Sequence, residues 1–214
     1  MITYNPLDGE AWTSCPRYRP QTCFLMTKLG DPVPVDVSRI RRTLEDSLAE
    51  FGYAVIDAES EVTGRDFLLK IWKQALAVPM GIAIVHSEMT PVTLGNIFFE
   101  LGIFQAFGKE TLVVKTEGAR IPSDLVRTEY VPYGAGFKRK AHSFMQTVID
   151  QGEHYADMAE NFAESNPLLA IDYLRRAFLI LGDESLRDRK QEVFAGMDLQ
   201  RRARNSVEAL LADY

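Results

Sequence analysis

Over the first 135 residues the apolar positions follow two alternating spacings. Short continuous apolar runs at Thr22 to Thr27, Tyr53 to Asp57, Met80 to Val85 and Thr111 to Lys115 predict strands, with a fifth around Glu129 to Pro132. Between them apolar residues recur every three or four positions. Val37, Ile40, Leu44, Leu48 and Phe51 mark a helix over Val35 to Phe51, ended by Gly52. A second helix starts at Thr63 or Gly64 and carries Phe67, Leu68, Ile71, Trp72, Ala75 and Leu76 on one side; a third runs from about Asn96 to Phe107, stopped by Gly108. The Met80 to Val85 run has no polar alternation, as expected of a strand covered on both faces. Strands and helices that alternate with short connections predict a parallel sheet between two helical layers, and right-handed crossovers favour a flavodoxin-like α/β order, 2-1-3-4-5.

Beyond Gly136 the strand-like runs stop and helical periodicity continues to the end. One helix is predicted over Phe137 to about Ser165. A second is opened by Asn166 and Pro167 and carries Leu168, Leu169, Ile171, Leu174, Phe178, Leu179 and Leu181; a third begins near Ser185. The pattern therefore divides into an irregular arm at 1–20 around Trp12 and Tyr18, a flavodoxin-like domain at 21–135 and a helical C-terminal extension at 136–214. The apolar face of the second extension helix is wider than a single buried stripe, which predicts a surface for a homo-oligomer or a partner protein.

Composition narrows the function. A net charge of −6 argues against a protein built to hold duplex nucleic acid. No apolar run reaches the roughly 18 residues of a membrane span, and the N-terminus lacks the basic start and apolar core of a secretory signal. Cys15 and Cys23 form no CxxC pair, and three scattered histidines offer no metal-ligand spacing, so no metal or other cofactor is expected and a reducing, cytoplasmic setting fits.

One residue stands out against this background. From Met89 to Gly108 the only formal charge is Glu100. A helix apolar nearly all round is a buried helix, and a buried unpaired carboxylate costs several kcal/mol, roughly 2 to 7 by transfer estimates. Glu100 therefore either lines a cavity or pairs with a cation as a structural acid. In an open α/β sheet the ligand crevice lies beyond the carboxyl ends of the strands. The segments that converge there carry Lys28 and Gly30 after the first strand, Asp57 after the second, and His86, Ser87 and Glu88 after the third. Asn96 and Glu100 follow, four residues apart and so on one side of their helix. Each has a plain structural role open to it: a satisfied strand-end histidine, solvated loop charges, a cap asparagine.

The stretch Ser87 to Lys109, SEMTPVTLGNIFFELGIFQAFGK, resembles nucleoside 2-deoxyribosyltransferase-like proteins and related TIR-like nucleotide-binding domains. The resemblance is carried by Glu88 and Thr90, then Asn96, Ile97, Glu100, Leu101 and Gly102, and then Gly108 with Lys109; the upstream Gly64 to Leu76 is similar to the same proteins, and the likeness extends over about Thr22 to Val131. It implies N-glycosidic chemistry on a nucleoside, a nucleotide or the nicotinamide riboside bond of an NAD-like ligand. The role of the family's helix carboxylate then falls on Glu100, with Lys28, Gly30, Asp57, His86, Ser87, Glu88 and Asn96 as ligand contacts. Two other readings remain: a non-catalytic nucleotide-signal sensor whose C-terminal helices report occupancy to an oligomer or partner, and a scaffold whose helices are the working surface.

Overall fold

The computed structural model describes residues 9, 17–30, 32–59, 67–122 and 130–197. Five strands, β1 (Thr22–Met26), β2 (Ala54–Ile56), β3 (Met80–Val85), β4 (Glu110–Lys115) and β5 (Tyr130–Pro132), form one all-parallel sheet in the order β2-β1-β3-β4-β5. The helices are α1 (Val35–Ala49), α2 (Phe67–Ala77), α3 (Pro91–Ala106), α4 (Phe137–Phe162), α5 (Pro167–Leu181) and α6 (Ser185–Ala195). The expected flavodoxin-like fold is therefore present.

The strand order assigns the faces. The connection from β1 to β2 steps one way along the sheet, and the connections from β2 to β3 and from β3 to β4 step the other way. Right-handed crossovers then put α1 on one face and α2 with α3 on the opposite one. The contacts agree: α1 packs on α4, and α2 packs on α3. Phe24 of β1 stacks on Phe104 of α3 with ring centroids 5.3 Å apart, and a Cβ at Gly81 of β3 would stand 2.8 Å from that Phe104 ring. Gly81 is thus the notch in the sheet that seats α3.

Helix α3 begins at Pro91, more than a turn before the expected start at Asn96. The Thr90 hydroxyl caps it by accepting from the Thr93 N–H at 3.2 Å, and Pro91 occupies the first turn, where no N–H is needed. Gly95 lies inside the helix, so it marks no boundary. The start expected at Thr63 or Gly64 for α2, Glu129 of the fifth strand, and Trp12 of the arm lie outside the described residues.

Helix α4 joins two apolar cores. Its first half places Phe137, Ala141, Met145 and Val148 in the main core around the sheet, while Ala159 belongs to a second core with Ala170, Leu174, Phe178 and Val193. Helix α5 is held on several sides, by α4, by α6 and by the amino edge of the sheet, where Gln21 N–H donates to the Leu179 carbonyl at 2.8 Å and Tyr53 Oη donates to the Ile180 carbonyl at 2.7 Å. This accounts for its apolar width within one chain. Ile171, Leu174, Phe178 and Leu179 are buried, and Leu168 is the one large apolar side chain of α5 left exposed. Most of the apolar face that led to the expectation of a homo-oligomer or partner surface is packed within the chain, and Leu168 stays outside.

Candidate functional site

At the carboxyl edge, β1 and β3 are neighbours whose following helices leave to opposite faces, and the gap between their loops is the crevice of this fold. The loop after β3 is firmly built. His86 is buried and accepts the Glu88 N–H on Nδ1 at 3.1 Å, which leaves the ring proton on Nε2. Met89 N–H closes the turn on the His86 carbonyl. Ser87 N–H donates to Thr116 Oγ1 at 3.3 Å, and Thr116 N–H donates to the Val85 carbonyl at 3.0 Å, so the loops after β3 and β4 are joined. The side chains of Ser87 and Glu88 remain exposed at the rim.

The loop after β1 turns through Gly30, whose φ is 70°, and Lys28 Nζ donates to the Gly30 carbonyl at 2.8 Å. Asp57 is committed elsewhere. Its Oδ2 meets Arg41 at 2.8 Å and its Oδ1 accepts the Glu59 N–H at 3.0 Å, so the buried carboxylate ties the loop after β2 to α1. Asn96 lies on the exposed side of α3, not at its cap, while Glu100 four residues on is turned inward.

Glu100 is 9 % exposed, and among the described residues it has no hydrogen-bond or ion-pair partner. Its height follows from Phe104. That ring lies over Gly81, and Glu100 is one turn, about 6 Å, nearer the helix start. This corresponds to about two strand residues above Gly81, just inside the carboxyl edge. Burial pushes its carboxyl up to about 7, and no cation among the described residues pairs with it to offset the lost hydration. Near neutral pH the group is divided between an acid that can donate a proton and a poorly hydrated, reactive anion.

Among the described residues a cavity opens at each of two opposite edges of the sheet, and Glu100 lines neither of these. One, about 270 Å³, lies between the carboxyl end of β1 and the first turns of α1; Thr27, Lys28, Ser38, Arg41, Arg42 and Glu45 contribute to it. Of these the sequence pattern singled out only Lys28. The adjacent Arg41 and Arg42 on the helix directly after the first strand were the available signal, masked because exposed arginines are usual on an amphipathic helix. The other cavity, about 30 Å³, lies at the amino edge beside Lys109, Glu110, Tyr155, Arg175 and Arg176. There Lys109 Nζ donates to the Leu76 carbonyl at 3.1 Å and Arg176 donates to the Gly108 carbonyl at 3.2 Å, so both cations sit on the carbonyl-rich ends of α2 and α3.

Among the described residues no group of histidine, cysteine and carboxylate side chains is placed to hold a metal, and no helix is long and apolar enough to cross a membrane. No family model matches the chain, and no curated protein sequence matches it.

Proposed function

We propose that the crevice binds a nucleoside, a nucleotide or an NAD-like molecule and that Glu100 cleaves or exchanges its N-glycosidic bond. The observation that supports this reading is a carboxylate withdrawn from water with no partner among the described residues. A core acid kept for structure carries a cation or hydrogen-bond donors, as Asp57 does with Arg41. A solitary one weakens the fold and is retained where its reactivity is used.

In this mechanism the ionised Glu100 attacks the anomeric carbon as the bond to the base breaks. The bonding electrons leave with the base nitrogen, and the carboxylate forms an ester with the sugar. Water then attacks the same carbon, releasing the sugar and a proton and restoring the carboxylate; an acceptor base in place of water gives exchange. Desolvation favours the step, because the anion is poorly solvated before the cationic sugar centre develops beside it. The protein is taken to act in a reducing, cytoplasmic compartment, in keeping with the free, buried Cys23.

The test is incubation of the purified chain with nucleosides, nucleotides and NAD, with chromatography for free base. Base release by the wild-type chain and its loss in a folded Glu100→Gln variant are expected. Ligand binding with no base release would leave recognition alone and favour a nucleotide sensor.

A further inference from the structure

The 270 Å³ pocket beside α1 gathers three features that favour an anion. The first is charge. Lys28, Arg41 and Arg42 line it with one carboxylate, Glu45, and that carboxylate is taken by Arg41 Nε at 2.8 Å. Arg41 also spends a guanidinium nitrogen on Asp57. Among the described residues Arg42 has no ion-pair partner, and Lys28 uses one of its three N–H donors on the Gly30 carbonyl. Two cations are therefore left to a pocket in a chain that is acidic overall.

The second feature is the start of α1. Its N-cap residue is Pro34, which offers no side-chain oxygen to cap the first-turn N–H groups. Asp36, the acid of that turn, is exposed and lies 3.7 Å from Arg39. Helix starts in this condition attract anions through their free N–H groups and dipole. The third feature is independent of both. Thr27, at the end of β1, is only 8 % exposed, lines the pocket, and among the described residues its Oγ1 has no hydrogen-bond partner. A buried hydroxyl without a partner is costly, and rotation about its Cα–Cβ bond turns it to an oxygen seated in the pocket.

We propose that this pocket is a phosphate site, held by Lys28, Arg42, Ser38 and Thr27, and that it makes the protein selective for nucleotides over nucleosides. The proposal rests on the reading of the crevice as a nucleotide site and deepens it. β1 and β3 lie side by side, roughly 5 Å apart. A sugar phosphate laid across their carboxyl ends would place its phosphate on the α1 side, with the glycosidic carbon toward α3 and Glu100. Charge-assisted hydrogen bonds from arginine, lysine and an unsatisfied hydroxyl match a phosphate's several acceptor oxygens.

The experiment is calorimetric titration of the full chain with pyrophosphate, AMP and adenosine. AMP should bind at least about tenfold more tightly than adenosine, and pyrophosphate should compete with AMP. Replacing Lys28→Gln and Arg42→Gln together, both outside the core, should bring AMP down to the affinity of adenosine and leave adenosine unchanged. Thr27→Val, of nearly the same shape, should keep the melting temperature and weaken AMP alone. Equal affinities for AMP and adenosine in the wild type, no binding of millimolar pyrophosphate, or an AMP advantage that survives the double replacement would each overturn the proposal. Glu100→Gln should retain the AMP advantage, so failure of base release removes the cleavage reading without touching this one.

Discussion

The two edges of the sheet use similar residues to opposite ends. At the amino edge the cations and Tyr53 are held by protein partners: Lys109 on the Leu76 carbonyl, Arg176 on the Gly108 carbonyl and Asp172, Arg175 on Asp172 and Tyr18, and Tyr53 on the Ile180 carbonyl. At the carboxyl edge Glu100 and Thr27 Oγ1 are buried without partners among the described residues, and Arg42 faces a pocket without a counter-ion. Burial alone does not separate structural from functional polar residues. If Glu100 and the pocket beside α1 act as proposed, what separates them is whether the fold itself consumes their hydrogen-bonding and charge.

This contrast can be broken by substitution, and the largest effect is expected at Glu100. Glu100→Gln should lower base release at least about a thousandfold, on the order of 4 kcal/mol of barrier, measured by chromatography at saturating ligand. Full activity in that variant would return the carboxylate to a structural role.

The next effect is one of stability and has a definite sign. The carboxyl rises from 4.5 to about 7 on folding, so between those values the folded chain holds more protons than the unfolded one. The contribution of Glu100 is therefore fully favourable below pH 4.5 and is lost as pH rises through 7, by up to about 3 kcal/mol. Denaturant melts of wild type and Glu100→Gln should diverge across that interval, the variant being the more stable above pH 7. The same ionisation predicts that base release rises with pH through about 7, since the anion is the nucleophile.

At the amino edge Asp172→Ala should destabilise by about 2 kcal/mol, below the usual cost of breaking a buried pair because both arginines keep some exposure to water. Activity per folded molecule should be unchanged. The smallest effect is expected at the carboxyl rim, where Ser87→Ala should move stability by less than about 0.5 kcal/mol, its side chain being exposed and its loop held through the backbone N–H. A large loss there would mean that the rim side chains are also structural.

The sequence pattern carried most of the fold. β3 spans the expected Met80 to Val85, because a strand covered on both faces reads as one unbroken apolar run. α1 ends within two residues of its predicted bound for the same kind of reason, a clean 3.6-residue period closed by Gly52. The start of α3 lies before the expected Asn96 because it is set by the Thr90 cap, which is decided by one side chain's hydrogen bond. The isolation of Glu100 is visible in the letters alone, yet its lack of a partner depends on what α2 and the sheet bring near it. Asp57 and Arg41 illustrate the reverse. Their pairing depends on how α1 settles against the end of β2, which no local pattern encodes. Thr27 and Arg42 went unnoticed for the same reason, since a pocket belongs to the packing of a loop on a helix.

The strap of α5 across the amino edge also bears on synthesis. The bond from Tyr53 to the Ile180 carbonyl spans 127 positions, and Gln21, directly before β1, waits for Leu179. A chain emerging from the ribosome can align β1 to β4 once about half of it is out, but the entry to its first strand stays open until α5 arrives. Closing so long a loop is slow relative to local helix formation, and an exposed strand entrance invites pairing with a neighbouring nascent chain. Translation that stalls between β5 and α5 should therefore leave this protein more aggregation-prone than a stall at any earlier strand, with its sheet assembled and its lower rim uncovered.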